Sequence, residues 1–534
     1  MPGLEAATAI GRVIVLIYVV MAESFQHLLA ELEGDASAEA AEAFSRLVVA
    51  YFARTREGDG RVSTARTPTE LAARFDEPLP VHGRSLADVL SRLERDVVPD
   101  VNRLSHPRAM GHQVSAPLAV AVWTEALIAA FNQSAAVWEM SPVGTIVETQ
   151  VVRWMCGLAG FGPAAGGTFT SGGTEATFAG LLAARQAAQP EVSRRGVGAD
   201  PPVVVCGEHA HYAVARAVAQ LGLGTDRIAI VPSRDFRMDV AMLEQTLDAL
   251  RTTGRRVMAV VATAGSTATG SFDDLDAIGR ICEARDLWLH VDAAHGGSAL
   301  LSQMHRHRLA GISRARSIAW DPHKMMLMPL AASVVLVRDE RDLEAAFEQQ
   351  APYLFHAGAE ERGWDQGRRS FMCSRRLDAL KVWAALQRFG VSGLGALYDH
   401  LCDTARLLHE AVLDRPRFQA LHAPESNILC FRYIGDGSLS DTELDLINLD
   451  LRTACNREGD VWITTTVLAG RRVLRATIMN PRTTVGDVGQ VLDVLGSLAG
   501  SVSLGRDRSR GPASHGGRGP TSDLACGRTR LAAR

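Results

Sequence analysis

The sequence predicts an α/β fold with a mostly parallel sheet. Short runs of β-branched and small apolar residues recur through the middle of the chain, at 203–206, 257–263, 287–291 and 331–337. Helical segments such as 178–188 separate them. Strands that alternate with helices tend to pair in parallel, because each helix carries the chain back across one face of the sheet. A doubly wound sheet is therefore expected.

Three helices are predicted in the N-terminal segment, residues 21–104. Apolar residues recur at helical spacing in 24–53 and in 85–98, and Thr67 opens another helix. The apolar residues of 85–98 are spaced to form one buried stripe. The whole segment is nevertheless too small to enclose a core of its own.

A smaller α+β domain is predicted beyond about residue 390, where the pattern of alternating elements changes. Its expected elements are helices 394–413 and 441–458 and strands 428–433, 461–467 and 473–479. The expected domains are a helical segment at 21–104, a large domain at 105–389 and a small domain at 390–500.

The composition is that of a globular enzyme without a strong charge bias. The chain has 534 residues, of which 47% are hydrophobic and 22% are charged, and its formal net charge is −4. This charge predicts no general attraction to nucleic acid or to a membrane surface. The 8 cysteines lack the spacing of a metal site, so we expect reduced thiols in a cytoplasmic protein and no metal.

Both ends of the chain are expected to lie outside the folded domains. Residues 13–21 are apolar but too few to span a bilayer. An over-extended start at 1–20, with Met21 opening the natural chain, is the favoured interpretation, and a signal peptide is the alternative. Residues 501–534 are rich in Arg, Gly and Ser, which predicts disorder.

Two stretches of the sheet region carry the strongest functional signal. Lys324 follows Asp321-Pro322-His323 among apolar neighbours, where a desolvated amine is able to form a Schiff base. Asp292 ends the predicted strand at 287–291, and two glycines follow shortly after it. Ligands bind beyond the carboxyl ends of such strands. An amine and a carboxylate there suit pyridoxal 5′-phosphate (PLP), with Lys324 on its aldehyde and Asp292 on its ring nitrogen.

Further motifs hold candidate ligands, and each also has a plainer structural interpretation. Gly172-Gly173-Thr174 opens a helix whose N–H groups can bind phosphate, or it is a simple strand-to-helix turn. His211 belongs to a His-Ala-His pattern that could suggest a metal, but no third ligand lies nearby in sequence. The loop at 105–115 suits a substrate pocket, or it is a polar surface turn.

Taken together, these motifs resemble the group II PLP-dependent amino-acid decarboxylases. The family signature is an acid followed by small residues and glycines, and then Asn/Asp-Pro-His-Lys. The resemblance extends from about Ser105 to Pro481. The group includes glutamate, cysteine-sulfinate, diaminobutyrate and aromatic amino-acid decarboxylases. The resemblance implies a large domain of fold type I, the PLP-dependent transferase-like fold. It also implies a homodimer with active sites at the interface.

The resemblance also implies roles for individual residues. The cofactor would be held by Gly172, Gly173, Thr174, His211, Thr263, Asp292, Ala294, His323 and Lys324. Gln113 and His112 would hold the substrate side chain, and Arg375, with Arg376 as the alternative, would bind the substrate carboxylate. Tyr353, on a long polar loop, would protonate the carbanion after carbon dioxide leaves, and would thus share catalysis with Lys324 and His211.

The predicted function is decarboxylation of an L-amino acid to its amine by a PLP-dependent carboxy-lyase. Two alternatives stay open: another PLP reaction on the same fold (aminotransferase, lyase or aldehyde-forming oxidative decarboxylase), and a non-enzymatic protein that keeps the fold. The substrate also stays open among acidic amino acids, diaminobutyrate and apolar amino acids. Met325, Met326, Tyr353 and Arg375 favour the acidic branch, whereas 112–114 and 327–332 depart from it.

Overall fold

The protein is described by a computed structural model that covers residues 25–349, 351–355 and 363–509. The predicted over-extended start at 1–20 and most of the predicted tail therefore lie outside the described residues. Among the helices of the described ranges, none combines the length and apolar character that crossing a bilayer requires.

Thirteen strands are present in the described residues, in three sheets. They are β1 (Gly166–Thr170), β2 (Val203–Gly207), β3 (Ile228–Val231), β4 (Ser233–Arg234), β5 (Arg237–Met238), β6 (Val257–Thr263), β7 (Trp288–Asp292), β8 (Ser317–Trp320), β9 (Ser333–Val337), β10 (Phe418–Ala420), β11 (Ile428–Tyr433), β12 (Thr464–Leu468) and β13 (Arg471–Thr477).

The central sheet has seven strands in the order β1-β9-β8-β7-β6-β2-β3. The pairs β3·β2, β2·β6, β6·β7 and β7·β8 are parallel, and β9 runs antiparallel between β8 and β1. The expected α/β fold with a mostly parallel sheet is thus confirmed. The short strands β1, β3 and β8 were not predicted, because glycine-rich or four-residue strands leave little periodic signal.

The α-helices pack on both faces of this sheet and around its ends. They are α1 (25–35), α2 (Ala38–Arg56), α3 (Pro68–Phe75), α4 (Leu86–Arg92), α5 (Ala119–Phe131), α6 (Pro142–Leu158), α7 (Gly173–Ala188), α8 (Val192–Arg195), α9 (Tyr212–Gln220), α10 (Val240–Thr252), α11 (Leu275–Ala284), α12 (Arg341–Ala346), α13 (Asp378–Leu413), α14 (Asp441–Glu458) and α15 (Val485–Ser509).

The N-terminal helices differ from the prediction in two ways. The helix expected at 24–53 is divided, because the Ser37 side chain accepts a hydrogen bond from the Ala40 N–H and starts a new helix there. The buried stripe expected in 85–98 is wrong: none of the residues of α4 is buried in the single chain, and Val89 is 39% exposed. The start predicted at Thr67 is confirmed by a capping box with Glu70.

The C-terminal part contains a four-stranded antiparallel sheet in the order β10-β11-β13-β12, with α14 packed against it. The long helix α13 precedes it and bends at Gly390, whose φ of 64° breaks the helical geometry. This bend lies at the predicted boundary between the large and small domains. The division of the chain into domains itself stays a prediction.

Candidate active site

A cavity of about 340 Å³ lies beyond the carboxyl ends of β6 and β7. Thr263 ends β6 and pairs in register with Asp292, which ends β7, so the sheet brings the two side by side. The predicted site residues that line the cavity are Gln113, Gly172, Gly173, Thr174, His211, Thr263, Asp292, Ala294, His323 and Lys324. Segments far apart in sequence therefore meet at one pocket, as expected for an α/β sheet.

Lys324 reaches the pocket from the turn that follows β8. The turn is closed by a hydrogen bond from the Lys324 N–H to the Asp321 carbonyl oxygen, 3.0 Å long. The Lys324 side chain is 18% exposed, and its Nζ lies 3.1 Å from Asp321 Oδ2. Asp321 also accepts a hydrogen bond from Ser333 Oγ. The buried Asp321 thus orients the lysine amine, a role that the sequence analysis did not assign.

Asp292 is a buried carboxyl group in the lining of the pocket. Its Oδ1 accepts a hydrogen bond from the Ala294 N–H at 3.2 Å. Burial raises the pKa of Asp292, while the positive charge of Lys324 opposes that rise. An ionised Asp292 therefore depends on a cation beside it, which a protonated pyridine nitrogen would supply.

His211 caps the start of α9 and faces the same pocket. Its Nδ1 accepts a hydrogen bond from the Ala213 N–H at 3.3 Å. Burial lowers the pKa of His211, which favours the neutral imidazole. A neutral ring fixed by its backbone partner presents a flat face suited to stacking on an aromatic ligand.

The glycine loop joins β1 to α7, and the first-turn N–H groups of α7 point towards the pocket end of the helix. The loop is braced by Glu175, which accepts hydrogen bonds from Ser171 N and Oγ at 2.8 and 2.6 Å. At Gly173, a Cβ atom would lie 2.7 Å from Asp321 Oδ2 and 3.1 Å from Ala294 Cβ. Only glycine fits this close approach without displacing Asp321.

These residues fit PLP. The pocket offers an amine for its aldehyde (Lys324), a buried acid for its ring nitrogen (Asp292) and a helix N-terminus for its phosphate. Among the described residues there is no cluster of His, Cys, Asp and Glu that could hold a metal ion.

The structure corrects the predicted role of Arg375. Its side chain is 2% exposed and forms an ion pair with Glu148, with Nη2 2.6 Å from Glu148 Oε1. Arg375 also donates to the carbonyl oxygens of Ala135 and Phe169, each at 3.0 Å. It does not line the pocket, so its guanidinium is not available to a substrate carboxylate. The alternative, Arg376, is 55% exposed, pairs with Glu125 and does not line the pocket either.

Two other predicted residues lie away from the pocket wall. His112 packs against Trp462 in a tilted arrangement, with ring centroids 5.2 Å apart. Tyr353 is 82% exposed and is not among the residues that line the pocket. The roles predicted for both residues stay predictions.

The sequence analysis missed two groups beside the pocket. Arg475, on β13, is 6% exposed and donates to the carbonyl oxygen of Thr267, a pocket residue, at 2.7 Å. The Arg475 Nε has no partner among the described residues. His295 lines the pocket, and its Nε2 lies 2.7 Å from Asn427 Oδ1, while burial lowers its pKa to about 3. An arginine between the apolar residues Leu474 and Ala476 was the available signal for Arg475.

Comparisons with known proteins agree with this geometry. The model of a family described as the pyridoxal-dependent decarboxylase conserved domain matches residues 68–434. The L-2,4-diaminobutyrate decarboxylase of Rhizobium meliloti (strain 1021) is 36% identical over 432 residues, which cover 79% of this chain and 84% of that protein. The cysteine sulfinic acid decarboxylase of Mus musculus is 33% identical over 417 residues, covering 76% and 83%.

Solved structures show the same likeness. The crystal structure of mouse CSAD superposes with a TM-score of 0.81 and 29% identity, covering 87% of this chain and 99% of that chain. The glutamate decarboxylase domain of a diaminobutyrate-pyruvate transaminase and L-2,4-diaminobutyrate decarboxylase from Vibrio parahaemolyticus gives a TM-score of 0.78 and 30% identity, covering 87% and 96%.

Proposed function

Because this chain belongs to the family of pyridoxal-dependent decarboxylases, we propose that Lys324, Asp292 and His211 are the residues through which it acts. The family confirms the predicted enzyme class: the protein uses PLP to decarboxylate an L-amino acid. The observation that carries the assignment of residues is their convergence on one cavity at the ends of β6 and β7.

Each residue has a task that its surroundings support. Bound PLP supplies an electron-withdrawing ring that accepts the electrons left when carbon dioxide departs. Lys324 holds the aldehyde carbon and is oriented by Asp321, which lies 3.1 Å from its Nζ. Asp292 would keep the proton on the ring nitrogen, and His211 would stack on the ring. The N–H groups of Gly173 and Thr174 bind the phosphate.

Replacement of Lys324 and Asp292 tests these tasks separately. The Lys324→Ala protein should lose turnover and the visible absorbance of the lysine-bound cofactor, and borohydride should no longer fix the cofactor to the chain. The Asp292→Asn protein should keep the covalent link but lose most turnover, because a neutral amide does not hold the ring nitrogen protonated. Full activity in either variant would show that the residues are wrongly assigned.

The substrate is proposed to carry an acidic side chain, on the basis of the charges around the pocket. Among the described residues that line it, the carboxylates are Asp292 and Asp321, and both face Lys324. A cationic side chain would therefore lack an uncommitted carboxylate there. An anionic one would find Arg475 beside the pocket, since its Nη1 donates to the carbonyl oxygen of the pocket residue Thr267 and its buried guanidinium is suited to a carboxylate. The names of the relatives include both classes, since one acts on diaminobutyrate and another on cysteine sulfinic acid.

Carbon dioxide release from single L-amino acids decides the substrate class. We expect aspartate, glutamate or cysteine sulfinate to give a higher kcat/KM than 2,4-diaminobutyrate or leucine. The Arg475→Met variant should lower kcat/KM for the acidic substrate about 10- to 100-fold, the effect of one lost charge-assisted contact, while the cofactor absorbance stays unchanged. A preference for diaminobutyrate would refute the charge argument. One amine formed per carbon dioxide distinguishes decarboxylation from aldehyde formation.

The protein is further proposed to act as a homodimer in which Tyr353 serves the partner's site. Tyr353 is exposed and does not line the pocket of its own chain. The N-terminal helices also leave large apolar side chains in solvent, including Phe25 at 57% and Leu32 at 56% exposure. A second copy of the chain would cover these side chains and bring the tyrosine to a reactive site.

A cytoplasmic location is proposed from the state of the thiols. The cysteines of the described residues are all free, and most are buried. Free thiols in such number suit a reducing compartment. Fractionation of cells that express the protein tests this location.

A further inference from the structure

The Arg375–Glu148 ion pair lies almost wholly out of contact with solvent. The two side chains are 2% and 1% exposed, and their closest atoms are 2.6 Å apart. Neither residue lines the pocket, and the charged group of each is paired with the other. The function of the pair must therefore act through other residues.

The pair occupies the free edge of β1. Among the described strands, β1 pairs with β9 on one side, and its other side is an edge of the sheet. Every second residue of β1 therefore turns its backbone N–H and C=O groups away from the sheet. Phe169 is such a residue. Its N–H donates to Glu148 Oε1 at 3.1 Å, and its carbonyl oxygen accepts from Arg375 Nη2 at 3.0 Å. The ion pair thus replaces a neighbouring strand at Phe169.

The strand position held in this way is the one that leads into the glycine loop. Three residues separate Phe169 from Gly173, where α7 begins. Gly173 has little room, because a Cβ there would lie 2.7 Å from Asp321. A shift of β1 along or away from the sheet would consequently move the N–H groups at the start of α7.

Arg375 also ties this edge to a second segment. Its Nη1 donates to the Ala135 carbonyl oxygen at 3.0 Å, and its own carbonyl oxygen accepts from the Ala135 N–H at 2.8 Å. The next residue, Ala136, accepts a hydrogen bond from the Gly367 N–H at 2.7 Å. Through Ala135, Ala136 and Arg375, the segment around Gly367 is therefore connected to β1, the strand that leads into the glycine loop.

We propose that Arg375 and Glu148 are positioning residues that hold the glycine loop in place for the cofactor phosphate. The proposal rests on the proposed function, in which that loop binds the phosphate of PLP. It predicts that loss of the pair weakens the contact with phosphate and leaves the contacts with the ring and with Lys324 largely intact.

Pyridoxal, which lacks the phosphate, provides the test. The dissociation constants of PLP and pyridoxal are measured by absorbance on the apoenzyme of the wild type, Arg375→Lys and Glu148→Gln. PLP binding should weaken about 10- to 100-fold, the range expected for a lost hydrogen bond to a charged group, and pyridoxal binding should change less than about twofold. Equal weakening of both ligands would show a merely structural role, and no weakening of either would exclude any role.

Further variants keep this test decisive if a single replacement prevents folding. Removal of one partner leaves a buried charge, whereas an apolar pair of similar size is often tolerated, so Arg375→Met with Glu148→Met should fold. It should show the same selective loss of PLP binding. Arg376→Met is the matched control, because Arg376 is exposed and pairs with Glu125 at the surface. A wild type that binds PLP no better than pyridoxal would refute the proposed phosphate site itself.

Discussion

Replacement of Gly173 by alanine is predicted to disturb the pocket through one short contact. The new Cβ would lie 2.7 Å from Oδ2 and 3.0 Å from Oδ1 of Asp321, both distances below normal van der Waals contact. Asp321 cannot easily move, because it is 1% exposed, accepts from Ser333 Oγ and lies 3.1 Å from Lys324 Nζ. Overpacking of this kind costs about 1–3 kcal/mol. We expect the free energy of unfolding of the apoenzyme to fall by that amount.

Urea unfolding of the apoenzyme measures this loss, and Gly172→Ala is the control. A Cβ at Gly172 has no atom within 4 Å, and its φ of 165° is extended backbone that alanine also adopts. The control should therefore unfold like the wild type. The Gly173→Ala protein should also bind PLP more weakly, because the displaced carboxylate no longer orients Lys324. Identical unfolding of the two variants would refute the close-contact argument.

Two further predictions concern pH and assembly. His290 and His295 have pKa values lowered by burial to about 3, against 6.5 for a free side chain. As the pH falls through 6.5, these histidines become protonated in the unfolded chain but not in the folded chain. Each of them should therefore lower the free energy of unfolding by about 2 kcal/mol between pH 7 and pH 5. Between pH 7 and pH 5, the free energy of unfolding of the His290→Gln protein, measured with urea, should fall by about 2 kcal/mol less than that of the wild type. The same pH dependence in both proteins would contradict a lowered pKa for His290. Mixing Lys324→Ala subunits with Tyr353→Phe subunits should restore about a quarter of wild-type activity if the tyrosine crosses the interface, since half of the dimers would then hold one intact site. No recovery would place both residues in one chain.

The sequence was sufficient where the chemistry is local. Lys324 and Asp292 each stand at the end of a recognisable strand or turn, so a short stretch predicts both the side chain and its position. The α/β class followed from the alternation of strands and helices for the same reason. The short strands β1, β3 and β8 became visible only in the tertiary structure. Their neighbours in the sheet stabilise them, and their own residues show no clear alternation of apolar and polar side chains.

Long-range partners could be decided only by the tertiary structure. Arg375 looked available for a carboxylate, but Glu148 lies 227 residues away in sequence and takes its charge. Arg475 drew no attention, yet the fold places it against Thr267, 208 residues earlier. The sequence shows that an arginine is charged but not which residue it pairs with, because burial and ion pairing arise only when distant segments meet. The sequence thus determined the class of fold and placed a lysine and an acid at the ends of strands, and the packing decided that Arg375 pairs with Glu148 whereas Arg475 lies beside the pocket.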